Sequence, residues 1–165
     1  MQLSTAQLQT LKTWLLANAG AMTDQQAADA LNATASPDFW VWRTSVSKHE
    51  LVTQPSVDGT TFTWAGNGFI TRSVGEQTCW SELFNSTLTT NPSLPNVRQA
   101  FSDIFSGTGN AAANRTHLLA AGRRKATLAE KLLATGTGST ASPATMGSGA
   151  EGEVSSQDVV DSLNS

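Results

Sequence analysis

The last third of the chain sets the tightest limit on its fold. From Thr135 to Ser165 the sequence is rich in Gly, Ser, Thr and Ala, has no basic residue, and carries four acids, Glu151, Glu153, Asp158 and Asp161. It has too few large apolar residues to build a core by itself. The expectation is a long extended C-terminal arm over 135–165, about thirty residues that reach roughly 100 Å when straight. Its final stretch, Ser155–Leu163, has the pattern of one or two helical turns formed against a partner.

Before the arm, the spacing of Leu118, Leu119, Leu128, Leu132 and Leu133 predicts one long helix over about 110–134, stopped by Gly136 and Gly138. Arg115, Arg123, Arg124, Lys125 and Lys131 fall on it, half of the ten Lys and Arg in the chain. The chain therefore ends in a positive face followed by a negative extension.

One compact domain is expected for 165 residues. The division read from the sequence is a mainly helical body over 1–134 and the arm over 135–165. Net charge is −3, so no global charge draws the chain to nucleic acid. The single Cys79 excludes an internal disulfide and a Cys-rich metal site. The N-terminal stretch lacks a basic region ahead of its apolar residues and does not read as a signal peptide. No apolar run approaches the roughly 20 residues that span a bilayer. The expectation is a soluble chain made in the cytoplasm, with no membrane partner. Three glycosylation sequons, at Asn32, Asn85 and Asn114, read as chance matches in a Ser/Thr-rich chain.

Along the body, Ser4 is a good N-cap, and Leu8, Leu11, Leu15 and Leu16 follow at helical spacing. Thr23 opens a second helix to about Ala33, and Ser36-Pro37 ends it. Asp38–Thr44 reads as a short strand or a helical turn; in an extended chain Trp40 and Trp42 share a face. Residues 45–73 form a short irregular or β-hairpin insertion, with Thr60–Trp64 either a strand or a loop that packs its aromatics on the core. Helical pattern returns over Val74–Ser86. Asn96 is expected to cap a helix in which Val97, Phe101, Ile104 and Phe105 line one side. The fold class is mainly α, a helical bundle.

Chemistry is sparse. His49 and His117 are the only histidines, and no HExxH, CxxC or carboxylate cluster is present, so neither a metal site nor a cofactor is expected. His49 reads as a surface-loop residue and His117 as a helix-surface residue. Cys79 beside Trp80 reads as an inert buried thiol. Trp14 and Trp80 are expected in the core, with Trp40, Trp42 and Trp64 open between core and interface. No enzyme is expected. The five basic residues have three readings: a solvated face, contact with nucleic-acid phosphates, or docking of an acidic segment such as the arm of a neighbouring copy. Candidate interface residues are these five, with Trp40, Trp42, Glu151, Glu153, Asp158 and Asp161.

Two segments carry a family likeness. Arg123–Ser139, RRKATLAEKLLATGTGS, resembles the "KRLATRAEKLFATGTGS" run of a family of small structural proteins of tailed bacteriophages. Ala35–Thr44, ASPDFWVWRT, resembles its "ASPAFTVWRT" stretch. Ala141–Met146 and Ser156–Val159 are also similar, while the first thirty residues match in pattern only. The resemblance implies a head-to-tail adaptor: a homo-oligomeric ring of about twelve copies, seated at the head–tail junction of the virion between the portal protein and a tail or nozzle protein, with non-specific contact to packaged DNA. Alternatives are another minor virion protein, of the capsid or of tail completion, or a nucleic-acid binding module that uses the basic helix over 110–134.

Overall fold

A computed structural model describes residues 1–84 and 88–165. Among them the chain is mainly helical, 48%, with helices α1 (Thr5–Asn18), α2 (Asp24–Asn32), α3 (Lys48–Thr53), α4 (Val74–Glu82), α5 (Pro95–Ile104), α6 (Asn110–Ala121), α7 (Leu128–Leu133) and α8 (Ser156–Asn164). Short strands β1 (Trp40–Trp42), β2 (Val46–Ser47), β3 (Thr89–Thr90), β4 (Arg123–Lys125), β5 (Ala134–Thr135) and β6 (Thr145–Met146) lie between them. The chain forms two compact units, Met1–Val41 with Lys125–Ser165, and Trp42–Arg124. It leaves the first within β1 and returns within β4.

Helix starts follow a common chemistry. Ser4, Thr23, Ser73, Thr127 and Ser155 each cap a helix, and a Gln, Glu or Asp three residues on returns a hydrogen bond to the cap backbone. Two orphan amide donors are satisfied reciprocally at each start. α5 begins differently from expectation: Pro95 takes the first position with Leu94 as N-cap, and Asn96 lies inside. Proline suits that position because the amide it lacks would have had no helical partner.

The unit of residues 42–124 packs Leu51, Phe62, Trp80, Phe84, Phe101, Phe105 and Leu118 into one aromatic-rich core. Each large side chain removed from water contributes about 1.5–3 kcal/mol. Val97, Phe101, Ile104 and Phe105 line the buried side of α5 as their spacing predicts. The 45–73 stretch contains β2, which pairs antiparallel with β3, then α3 and an irregular loop. Thr60–Trp64 is not a strand. It is the loop alternative, with Phe62 stacked 5.8 Å from Trp80. The end of the expected Val74–Ser86 helix and the Asn85 sequon fall partly or wholly on 85–87, outside the described residues.

The unit of residues 1–41 and 125–165 has its core between α1, α2, α7 and α8, with Leu11, Leu15, Leu31, Ala129, Val154 and Val159 buried. The extended arm expected over 135–165 is not present as such. β5 turns back to pair antiparallel with β6, and α8 packs on α1 and α2. The segment cannot build a core alone, but Val154 and Val159 complete one whose other walls come from residues 1–32 and from α7. The long helix expected over 110–134 is also two helices. α6 ends at Gly122, Arg123–Lys125 run extended, and Thr127 caps α7 afresh.

Candidate interaction surfaces

The two segments that carry the family likeness, distant in sequence, meet in one place. Ala35 N–H donates to Ala126 O (3.0 Å), and Ala126 N–H donates to Phe39 O (2.8 Å). Trp40 N–H donates to Gly138 O (2.8 Å), and Ala144 N–H donates to Trp40 O (2.8 Å). Val41, Ala126, Ala144, Met146 and Ala150 form a small buried cluster beneath these bonds. Gly138, at φ +65°, passes so close to the Phe39 ring that a Cβ there would collide with it. The Thr-Gly-Thr-Gly run is therefore a packing motif, narrow enough to lie under an aromatic ring.

The basic residues do not form one helical face. Arg115 donates to Phe105 O (2.7 Å) on its own unit, and Arg123 pairs with Asp58. Lys125 pairs with Asp38 (2.7 Å) and lies 5.9 Å from the Trp40 ring centroid. Lys131 lies 5.9 Å from the Phe39 centroid. Arg115, Arg123 and Arg124 belong to one unit, Lys125 and Lys131 to the other. The break at Gly122 is the physical reason: a helical stripe continues only while the helix does. Trp42 is covered by Arg98, whose guanidinium sits 4.6 Å above the ring and donates to Pro92 O and Ser93 O, both at 2.7 Å. Burial pushes the Arg98 guanidinium below its ordinary value.

Of the acids of the C-terminal segment, Asp158 ties it to the start of the chain. Asp158 accepts from Ser155 N–H (2.8 Å) and Oγ–H (2.7 Å), and lies 3.4 Å from the Met1 amine. Burial pushes the Asp158 carboxyl up; the Ser155 hydrogen bonds and the Met1 charge outweigh it and leave the carboxyl below its ordinary value. Asp161 accepts from Gln157 Nε2 (2.8 Å). The backbone carbonyl of Glu153, rather than its side chain, accepts from Met1 N (3.1 Å). Glu151 is half-buried.

Three residues have surroundings that the sequence did not suggest. His117 is fully buried instead of lying on the helix surface, with Nε2 2.7 Å from Leu51 O and Nδ1 2.9 Å from Thr60 O. Cys79 is exposed instead of buried. His49 is exposed on α3, a helix rather than a loop. Sequence reasoning also missed the polar stripe of Asn110, Asn114 and His117 on α6, although its i, i+4, i+7 spacing is a visible signal. Asn114 is fully buried: it donates to Thr63 O and Gly68 O, both at 2.9 Å, and accepts from Thr63 N–H at 2.8 Å. Asn110 donates to Ala65 O (2.9 Å). The stripe fixes the backbone of the loop that carries Phe62 and Trp64. It also explains why the Asn114 sequon is closed in the folded chain. Asn32 is likewise engaged by both amide atoms with Val154.

Of the expected core tryptophans, Trp80 is buried and Trp14 is only half-buried. Trp64 is 44% exposed, and Ile70 and Val74 nearby are more open still. An open groove of ≈ 250 Å³ lies among α1, α2 and α8, lined by Leu15, Leu16, Met22, Ala27, Val159 and Leu163. Among the described residues there is no cluster of His, Cys, Asp and Glu that could hold a metal ion, and no helix long and apolar enough to cross a membrane. No family model, no curated protein and no solved structure matches the chain.

Proposed function

We propose that this chain is a structural protein of a tailed-bacteriophage particle, a head-to-tail adaptor at the junction between portal and tail. In this reading the helical bodies stand side by side in a ring of about twelve copies. The portal protein lies on one side and a tail or nozzle protein on the other. The chain is made in the host cytoplasm and ends in the virion. Its work is assembly, with no catalytic step and no cofactor.

One observation carries the reading. The two stretches that resemble the phage family, Ala35–Thr44 and Arg123–Met146, hydrogen-bond to each other in the folded chain through Ala35, Phe39, Trp40, Ala126, Gly138 and Ala144. What these residues do there is pack and pair backbones, which suits a building block. The C-terminal segment then has a role in attachment. It is held by a thin apolar seam, and each further C-terminal segment that docks in a ring does so at high effective concentration.

The test is particle morphology. Gradient-purified particles should contain the chain at a ring-like copy number. A genome in which the chain is not made should yield DNA-filled heads without tails. Tailed, infectious particles from that genome would overturn the adaptor reading.

A further inference from the structure

His117 meets a carbonyl oxygen at each ring nitrogen. It is fully buried on α6, with Nε2 2.7 Å from Leu51 O and Nδ1 2.9 Å from Thr60 O. Carbonyl oxygens accept and never donate. Leu51 O cannot take the usual helical donor, because the residue four places on is Pro55, which has no N–H. Thr60 O already accepts from Ser56 N–H at 2.8 Å. The Thr60 hydroxyl lies 3.3 Å from Nδ1, farther than the carbonyl, and 2.7 Å from Ser56 Oγ.

A neutral imidazole carries one N–H. Placed on Nε2, it leaves the Nδ1 lone pair facing the Thr60 oxygen, two acceptors in contact at 2.9 Å. Placed on Nδ1, it leaves Leu51 O against a bare nitrogen at 2.7 Å. An imidazolium carries two N–H groups and serves both oxygens. Burial opposes its charge, and two charge-assisted hydrogen bonds offset that cost. The charged groups on the elements around the ring are engaged elsewhere. On α3, Glu50 pairs with Arg43, Lys48 lies 5.5 Å from the Phe84 centroid, and His49 is exposed. Asp58, in the 56–60 turn, pairs with Arg123. Arg115, on α6, donates to Phe105 O.

We infer that His117 is an imidazolium in the folded chain, a buried proton-binding site that locks the loop over 54–64 onto α6. The loop carries Phe62, edge-on to the His117 ring, and Trp64, edge-on to Phe62. Loss of the proton sets one ring nitrogen against a carbonyl, and the loop shifts to relieve the contact. The folded chain therefore binds this proton more tightly than the unfolded chain does. The lock contributes stability in acid and loses it as pH rises through neutrality. Its direction is opposite to that of the Asp158 and Glu76 carboxylates, which are held down in the folded chain.

The full-length chain carrying His49→Gln keeps His117 as its one histidine. With uniform nitrogen-15 labelling, long-range proton–nitrogen spectra of the ring report directly which nitrogens are protonated. At about pH 7.5, roughly a tenth of unfolded chains hold an imidazolium, from the ordinary histidine value of about 6.5. The folded chain should hold it several-fold more often, with both nitrogens protonated. Raising the pH further should bare one nitrogen and move the Trp64 indole signal in the same step. A folded fraction no larger than that of the same protein in urea would overturn the proton site. It would leave a neutral ring with the Thr60 hydroxyl donating to Nδ1. A Trp64 signal that ignores the step would overturn the lock. In the same background the urea midpoint should fall as pH rises through neutrality, and adding His117→Gln should abolish that fall. A fall that survives the substitution would overturn His117 as its source.

Discussion

Gly138 lies against the ring of Phe39, and the space between them admits no side chain. Phe39 in turn has Lys131 5.9 Å from its ring centroid. Gly138→Ala should therefore cost about 1–3 kcal/mol, the sum of an unfavourable positive φ and a displaced ring. A double-mutant cycle separates the two. In a Phe39→Ala background the ring is gone, and Gly138→Ala should cost only the backbone part. Urea unfolding of the four proteins measures the difference. Equal costs in both backgrounds would mean that the ring and the glycine are not coupled.

Asn114 carries a different load. Replacing it with Ala leaves Thr63 N–H, Thr63 O and Gly68 O without the partner that each has now. Each buried group left unpaired costs about 1–3 kcal/mol, so a loss of about 3 kcal/mol or more is expected. Asn114→Asp should be at least as damaging, because it keeps the acceptor for Thr63 N–H and turns a carboxylate toward two carbonyls. Trp64 fluorescence should shift in both variants, since Asn114 fixes the loop that presents it. Unfolding curves unchanged from the parent would show that the stripe on α6 is dispensable.

Local chemistry was legible and long-range partnership was not. Ser4 and Thr23 could be read as caps because a cap needs only its own next three residues. The buried side of α5 could be read from Val97, Phe101, Ile104 and Phe105 because helical spacing is internal to the helix. His117 looked like a surface residue because the groups it meets, Leu51 O of α3 and Thr60 O of the loop that follows, lie far back in the chain. The leucines at 118–119 and 128–133 keep rough helical spacing across Gly122. The break becomes evident only when Ala126 is seen pairing with Ala35 and Phe39. The arm is the clearest case. Two valines are too few for a core, and what they lack is supplied by Leu11, Leu15 and Leu31 at the other end of the chain.

Cys79 on the open side of α4 gives a simple check of that helix's orientation. Trp80 beside it is 1% exposed, so the helix turns its cysteine out as it turns its tryptophan in. One thiol per chain should react with a disulfide reagent in the native protein, at a rate close to that of the unfolded chain. Cys79→Ser should leave stability within about 0.5 kcal/mol of the parent, as exposed substitutions do. A thiol that reacts only after denaturation would place α4 the other way round.

Acid should loosen the C-terminal strap, the stretch from Glu153 to Ser165 that carries α8, before it unfolds the rest of its unit. The Asp158 carboxyl is held below its ordinary value in the folded chain, so its contribution has a definite sign. A depressed carboxyl contributes stability that is fully present above its unfolded value and is lost as pH falls through the folded one. The window therefore lies at and below the ordinary aspartate range, and neutral pH is outside it. Glu76 titrates in the same direction, held down by the Ser73 hydroxyl and amide and then by Arg72, but it caps α4 in the other unit. The two are told apart by where the change is read. Val159 methyl signals followed by NMR from neutral pH to about pH 3 should report strap release, while Trp80 reports α4. Asp158→Asn should release a larger fraction of the strap already at neutral pH, by about 0.5–1 kcal/mol for the lost charge at the helix start and beside Met1. It should also flatten the acid dependence of the Val159 signal and leave that of Trp80 unchanged. A Val159 titration identical in parent and variant would assign strap release to some other group.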